Sequence, residues 1–245
     1  MGSSRLPGKV LKDLNGKPML EWVVKRSSFA RKVDDVLVAT TTDSGDDAIE
    51  KWCRSSRIAC FRGSVFDVLD RYYQAAKENK ADRIVRVTAD CPLMDPELID
   101  EMIGFYENTQ ADFAANRLPP PWHRTFPIGL DIEVVSFALL EKAWKEAVEP
   151  FEREHVMPWF YDKEGRFKVK ILDHDPDYGQ HRWTVDTPED YQFLQKLFAK
   201  LSDPLHASWL DVLKIVSEYP ELERINADSQ AKRVDNVDER AENKL

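Results

Sequence analysis

The chain has 245 residues, 42% of them hydrophobic and 11% aromatic, enough to bury the core of one large α/β domain. A formal net charge of −9 excludes a general electrostatic footprint for nucleic acid or a membrane surface, while leaving room for a local basic pocket around a small anion. Cys53, Cys60 and Cys91 form neither a CxxC pair nor an even disulfide framework. No run of about 18 apolar residues spans a bilayer and no signal-peptide core opens the chain, so the expected compartment is the cytoplasm.

The first nine residues, MGSSRLPGK, read as a Gly- and Ser-rich loop carrying Arg5 and Lys9. Pro18 then opens a helix whose apolar face is Met19, Leu20, Trp22, Val23 and Val24. DDVLVATTT (34–42) is a β-branched run of the kind a buried parallel strand shows, and a helix starting near Ser44 follows it. RIACFRG (57–63) is a short strand, and 64–79 a helix with Ser64 as its expected N-cap. DRIVRVTAD (82–90) is another strand and DPELIDEMIGFYEN (95–108) another helix. This alternation predicts a mostly parallel, doubly wound sheet with ligands at the strands' C-terminal ends.

The second half is less regular. ADFAANR (111–117), a proline-rich turn PPPW (119–122) and GLDIEVVSF (129–137) precede helices around 137–149 and 152–161. GRFKVKILD (165–173) alternates as a strand should, and helices over 188–201 and 208–219 close the fold. Residues 1–227 are expected to form a single domain, and the polar stretch 228–245 a disordered tail.

Chemistry has three candidate locations. Ser3, Ser4, Arg5, Gly8 and Lys9 could present backbone N–H groups and cations to phosphates, although the loop is not a Walker A motif, since Val10 follows Lys9. Asp90 and Asp186 each end an apolar run, where a carboxylate projects into the ligand crevice and can hold Mg²⁺. Each alone reads as an ordinary turn before a helix; the pair fits a metal that neutralises nucleoside triphosphate charge. DHDPD (173–177) contains an Asp-x-Asp pair, for which a solvated turn is the simpler reading. Glu152 and His155, at helical i, i+3 spacing, lack the further ligands that zinc requires.

Taken in order, MGSSRLPGKVL, RVTADCPLMDP, FPIGLDIEVV, EREHVMPWFY and HRWTVDTPEDY resemble the cytidylyltransferase family of spore-coat polysaccharide and sugar-acid biosynthesis. The resemblance covers the chain to about Leu201. It implies a Rossmann-like nucleotidyltransferase fold, CTP and a sugar or sugar acid as partners, Mg²⁺ as cofactor and a homodimer as assembly. By position, it implies that Ser3, Ser4, Arg5 and Lys9 hold the triphosphate, that Arg62 and Gly63 lie near the nucleotide, and that Asp90 and Asp186 bind Mg²⁺. Arg5, Lys9, Asp90 and Asp186 are thereby the catalytic set. Gly129, Asp131 and Glu133 fall on the acceptor side, with Glu152, Arg153 and His155 lining the sugar pocket. Ala89 stands where relatives often have glycine, and Ile128 where they are often polar.

Relatives also carry an apolar strand directly before the residue equivalent to Met1. The expectation is therefore a sheet lacking its first central strand, with the loop at 1–9 displaced or the central slot filled by something else. The working reading is a Mg²⁺-dependent cytidylyltransferase that releases pyrophosphate. Its rivals are a nucleotide-sugar glycosyltransferase using Asp173 and Asp175, and a truncated, non-catalytic nucleotide-binding protein.

Overall fold

A computed structural model of the chain describes residues 1–119 and 123–229. Most of the proline-rich turn and nearly all of the polar tail lie outside the described residues. After the first loop and a 3₁₀ turn at Lys9–Leu11, a short hairpin pairs β1 (Asp13–Leu14) with β2 (Lys17–Pro18) and leads into α1 (Met19–Ser27). β3 (Leu37–Thr41), α2 (Asp47–Ser56), β4 (Ala59–Gly63) and α3 (Val68–Glu78) alternate as the sequence predicts. Asp67 caps α3, accepting from the Asp70 N–H, and Ser64 stands one turn earlier, accepting from Asp67 N–H. The expected Ser64 cap is thus corrected to Asp67.

β5 (Arg83–Arg86), α4 (Pro96–Thr109), β6 (Phe113–Ala115) and β7 (Glu133–Ser136) follow, then α5 (Phe137–Glu146), α6 (Pro150–His155) and α7 (Pro158–Tyr161). β8 (Val169–Ile171), α8 (Pro188–Phe198) and α9 (Trp209–Glu218) complete the described strands and α-helices. Local chemistry sets the helix starts. Asp95 precedes Pro96 and accepts from two backbone N–H groups, while Thr187 before Pro188 and Ser208 before Trp209 each close a reciprocal capping box.

Apart from the β1–β2 hairpin, the described strands form two sheets that share no ladder. β3 and β4 pair in parallel; the second sheet has the order β5-β7-β6-β8. In it β5, β6 and β8 run in one direction and β7 alone is reversed. The four-stranded sheet is covered on both faces, and strand alternation divides its side chains between them. Ala114 and Val134 join the core under α4, α8 and α9, whereas Phe113, Ala115 and Val135 join the opposite core with Leu69, Leu140, Trp159 and Phe160. The β3–β4 sheet packs more thinly on Leu20, Val24, Ile49 and Cys53. Three layers with helices on both faces follow from these patterns, matching the doubly wound class.

Candidate active site

The first loop is drawn onto the end of the four-stranded sheet. Gly8 sits at φ 69°, a left-handed conformation that glycine adopts without strain, and starts the 3₁₀ turn carrying Lys9. The Lys9 ammonium donates to Asp90 Oδ2 at 2.8 Å, Asp186 Oδ1 at 3.0 Å and the Val185 carbonyl at 2.6 Å. Arg5 reaches Asp186 Oδ2 at 3.3 Å. The loop is therefore anchored on the carboxylates rather than displaced. Ser3 accepts from the Leu6 N–H within the loop, and Ser4 is exposed.

Asp90 lies four residues beyond β5, and Asp186 just before the cap of α8. Two bonds clamp the segments together: the Asp90 carbonyl accepts from Val185 N–H at 3.0 Å and from the Thr184 hydroxyl at 3.2 Å. Asp186 is further held by Arg182, whose guanidinium bonds Asp186 Oδ2 at 2.9 Å and Asp190 through Nε at 2.9 Å. Asp190 is fully buried and also accepts from the N–H groups of Asp186 and Thr187 and from Asn226. Burial works against the charge of Asp90, but the adjacent Lys9 outweighs it and holds the carboxyl below the ordinary aspartate value. Burial likewise opposes the Lys9 charge, and Asp90 and Asp186 hold that ammonium above the ordinary lysine value. Lys9 and Asp90 are therefore both charged at neutral pH.

Beside it lies a second ionic group, built at the junction of β5, β6 and β7. Gly129, at φ 108°, sits so close to residues 183 and 184 that a Cβ would meet the Thr184 nitrogen at 2.8 Å. Its lack of a side chain lets this loop run against the strand-like segment that ends in Asp186. Asn116 fastens the same loop, donating to the Leu130 carbonyl at 2.7 Å and accepting from Ile132 N–H at 2.9 Å. Asp131 is thereby presented to Arg117 Nε at 3.2 Å and to Arg124 Nη2 at 3.0 Å. Glu133, only 3% exposed, is bonded by Arg86, its cross-strand partner, and Arg117 stands 3.8 Å away. Arg86 stacks over the Tyr72 ring.

The remaining expected site residues divide. Glu152 is 3% exposed, and its carboxylate accepts from the N–H groups of Val148 and Glu149 in the capping box of α6. Arg153 bonds Asp67 and the Trp144 carbonyl, tying α6 to the start of α3. These contacts hold α6 in place. His155 ends α6 and is half-buried. Arg62 bonds the carbonyls of Thr41 and Asp43 and the carboxylates of Asp47 and Glu50, so its donors are already engaged. Gly63 leaves space for Arg71, whose Cγ would lie 3.0 Å from an added Cβ. Asp173 engages His123 at 2.8 Å in an exposed pair.

Sequence reasoning missed Arg71, Arg86, Arg117, Arg124, Arg182 and Asp190. Only Asp190 had a local signal, as the third residue after Thr187 in a capping box; the arginines meet their partners across the fold.

Among the described residues no group of three or more His, Cys, Asp or Glu side chains gathers as a metal site. The donors around the Lys9 ammonium are nonetheless all oxygens, two of them carboxylate, which fits a hard divalent cation completed by water and phosphate oxygens. The Cys91 thiol, 3.6 Å from Asp90, is pushed well above its usual pKa by burial and by Asp90, and stays protonated.

The profile of the cytidylyltransferase family matches residues 1–234. The chain is 32% identical over 228 residues to the spore coat polysaccharide biosynthesis protein SpsF of Bacillus subtilis, covering 90% of this chain and 92% of that protein. Over 109 residues it is 39% identical to the 3-deoxy-manno-octulosonate cytidylyltransferase of Anaeromyxobacter dehalogenans, covering 43% of each. Its fold superposes on a cytidylyltransferase from Leptospira borgpetersenii with a TM-score of 0.86 at 32% identity, covering 95% of this chain and 94% of that one. With this match along nearly its whole length, the chain belongs to the cytidylyltransferase family and is a nucleotidyltransferase.

Proposed function

We propose that this nucleotidyltransferase transfers CMP from CTP to a hydroxyl of a sugar or sugar acid in surface-polysaccharide biosynthesis, releasing pyrophosphate. The observation that carries the reading is the convergence of Lys9 and Arg5 on Asp90 and Asp186, directly beside the arginine-rich group around Asp131 and Glu133. A reaction joining an anionic nucleotide to a second substrate needs both halves: cations and metal ligands where phosphorus is attacked, and a separate polar pocket for the acceptor. The relatives named for spore-coat polysaccharide and for octulosonate support the acceptor class.

In this reading Arg5, Lys9 and the loop N–H groups receive the triphosphate, while Asp90 and Asp186 hold Mg²⁺. The metal, when bound, neutralises phosphate charge. The acceptor oxygen displaces pyrophosphate in line at the α-phosphorus, so no protein nucleophile is required. Asp131 and Glu133 hold Arg117, Arg124 and Arg86 rigid on the acceptor side. Among the described residues the buried Nε–H groups of Arg71 and Arg86 have no hydrogen-bond acceptor. Residues 1–227 act in this reading as one domain, in the cytoplasm and as a homodimer. No described helix is long and apolar enough to cross a membrane.

Pyrophosphate release from CTP with Mg²⁺ across a panel of sugars and sugar acids tests the proposal. Turnover with an acidic acceptor is expected; tight binding of nucleotide sugars with no CTP turnover would move the assignment to a glycosyltransferase.

A further inference from the structure

The Lys9 ammonium occupies a particular point. Three oxygens converge on it, from Asp90, Asp186 and the Val185 carbonyl, at 2.6 to 3.0 Å. These are the oxygens the same cluster has to offer a divalent cation, and two cations cannot share one set of donors at such distances without strong mutual repulsion. The other cations nearby do not compete for that point. Arg5 and Arg182 both approach Asp186 from its Oδ2 side, leaving Oδ1 to Lys9. Lys9 is the one cation that bridges Asp90 and Asp186, among the described residues.

We propose that Lys9 is a resident stand-in for the divalent cation: in the nucleotide-free protein its ammonium holds Asp90 and Asp186 together, and it gives up those oxygens for the nucleotide's phosphates when metal and nucleotide arrive together. The inference rests on the metal and CTP roles proposed above. Its physical content is a coupling. Without nucleotide, yielding the carboxylates would leave a half-buried ammonium with no anion; with nucleotide, the phosphates supply one. Lys9 therefore makes metal and nucleotide binding mutually dependent, and protects the two carboxylates from each other's charge in the empty site. A four-carbon stem on a backbone fixed by the Gly8 turn suits this exchange, because the ammonium moves while the loop stays.

The test is Mn²⁺ binding to the full, nucleotide-free chain, read as free Mn²⁺ by electron paramagnetic resonance, together with melting temperature. Lys9→Met is expected to bind Mn²⁺ on the order of 10-fold tighter than the unaltered protein, and to gain more in melting temperature from Mn²⁺. Lys9→Arg, which keeps the charge, should bind Mn²⁺ as weakly as the unaltered protein. A Lys9→Met chain that folds only with Mn²⁺ would also support the proposal. Unchanged or weaker Mn²⁺ affinity in Lys9→Met would overturn it, as would a variant that folds neither with nor without the metal, since Lys9 would then be an irreplaceable structural cation. CTP turnover by the unaltered protein separates the two ideas. Turnover with no Lys9 effect on Mn²⁺ removes this inference alone, and a Lys9 effect without turnover removes the proposed reaction alone.

Discussion

The two sheets are made from similar residues and end up in different surroundings. β3 reads Leu-Val-Ala-Thr-Thr and β7 Glu-Val-Val-Ser, yet Val134 and Val135 are completely buried, while Leu37, Val38 and Ala39 remain half-buried. The difference is cover. β6 and β7 have neighbours on both edges and helices on both faces, whereas β3 has a ladder partner only in β4. Burial of an apolar strand is thus a property of what surrounds it as much as of its own pattern. The proposed chemistry follows the same division: Asp90, Asp131 and Glu133 extend from the well-covered sheet, while Arg62 and Gly63 end the thinner one. Groups that must be held to within a fraction of an ångström stand on the more rigid support.

The sharpest way to break this comparison is at the carboxylates of the covered sheet. Asp90→Asn keeps the shape but weakens both the Lys9 contact and metal coordination, so kcat/KM should fall by roughly 10³-fold or more, about 4 kcal/mol of transition-state stabilisation. Asp186→Asn should behave similarly. The double variant should lose far less than the product of the two single effects, because both carboxylates serve one cluster. Steady-state kinetics of the three variants decide; near-normal kcat in Asp90→Asn would take it out of the active site.

Stability should separate the sheets next. Phe113 on β6 is fully buried and stacks on Phe160 at a centroid distance of 5.5 Å. Phe113→Ala should cost about 3–5 kcal/mol, whereas Leu37→Ala on half-buried β3 should cost about 1 kcal/mol. Urea unfolding measures both, and equal losses would show that β3 is as tightly covered as β6. Hydrogen exchange offers a check without mutation: amides of β6 and β7 should exchange only by global opening, and those on the unpaired edge of β3 much faster.

Acid should act on the ion pairs that fasten the site to the covered sheet. Burial raises the pKa of Asp190, but hydrogen bonds from Arg182 and Asn226 more than offset this and leave it depressed. A carboxyl depressed on folding contributes stability that is fully present above its unfolded pKa, near 3.9, and is lost as pH falls through the folded value. The melting temperature should therefore be insensitive to this group from about pH 5 to 8, and fall below about pH 4. Asp190→Asn should melt lower at neutral pH, since it leaves Arg182 without its buried partner, and its deficit should shrink in acid. A deficit that stays constant down to pH 3 would show that Asp190 titrates normally.

Much of this arrangement was legible in the sequence, and the illegible part has a common cause. The capped starts of α4, α8 and α9 depend on residues three or four apart, so Asp95-Pro96, Thr187-Pro188 and Ser208 announced them. Lys9, Asp90 and Asp186, which the structure brings together, stand out in the sequence because positions after apolar strands and a small-residue loop leave local marks. The reversed β7 leaves none, since a strand's direction is set by how the chain returns to the sheet. Nor do Arg86, Arg117 and Arg124, whose partners lie 47, 14 and 7 residues away. The capping role of Glu152 and the tether from Arg153 to Asp67 leave equally little trace, since the second depends on a partner 86 residues away.

The smallest expected effect concerns base choice, on the thinner sheet. The family resemblance placed Arg62 near the nucleotide, which made it the first candidate for selecting CTP over UTP. In the structure its Nε donates to the Thr41 carbonyl at 2.8 Å, one terminal nitrogen faces Asp47 and Glu50, and the other donates to the Asp43 carbonyl at 2.8 Å. A guanidinium so engaged fixes the end of β3 against α2 and has little directional capacity left to distinguish two pyrimidines. Arg71, against Gly63 on the adjoining helix, has an Nε–H with no acceptor among the described residues. Arg62→Ala should accordingly leave the ratio of CTP to UTP turnover within about threefold of the unaltered enzyme, less than 1 kcal/mol of discrimination, while loosening the β3 edge in hydrogen exchange. Arg71→Ala should change turnover more than Arg62→Ala does. Competition between the two nucleotides in the pyrophosphate assay reads the ratio directly, and a large loss of CTP preference in Arg62→Ala would mean that nucleotide binding pulls Arg62 away from Asp47 and Glu50, making the thinner sheet the one that rearranges.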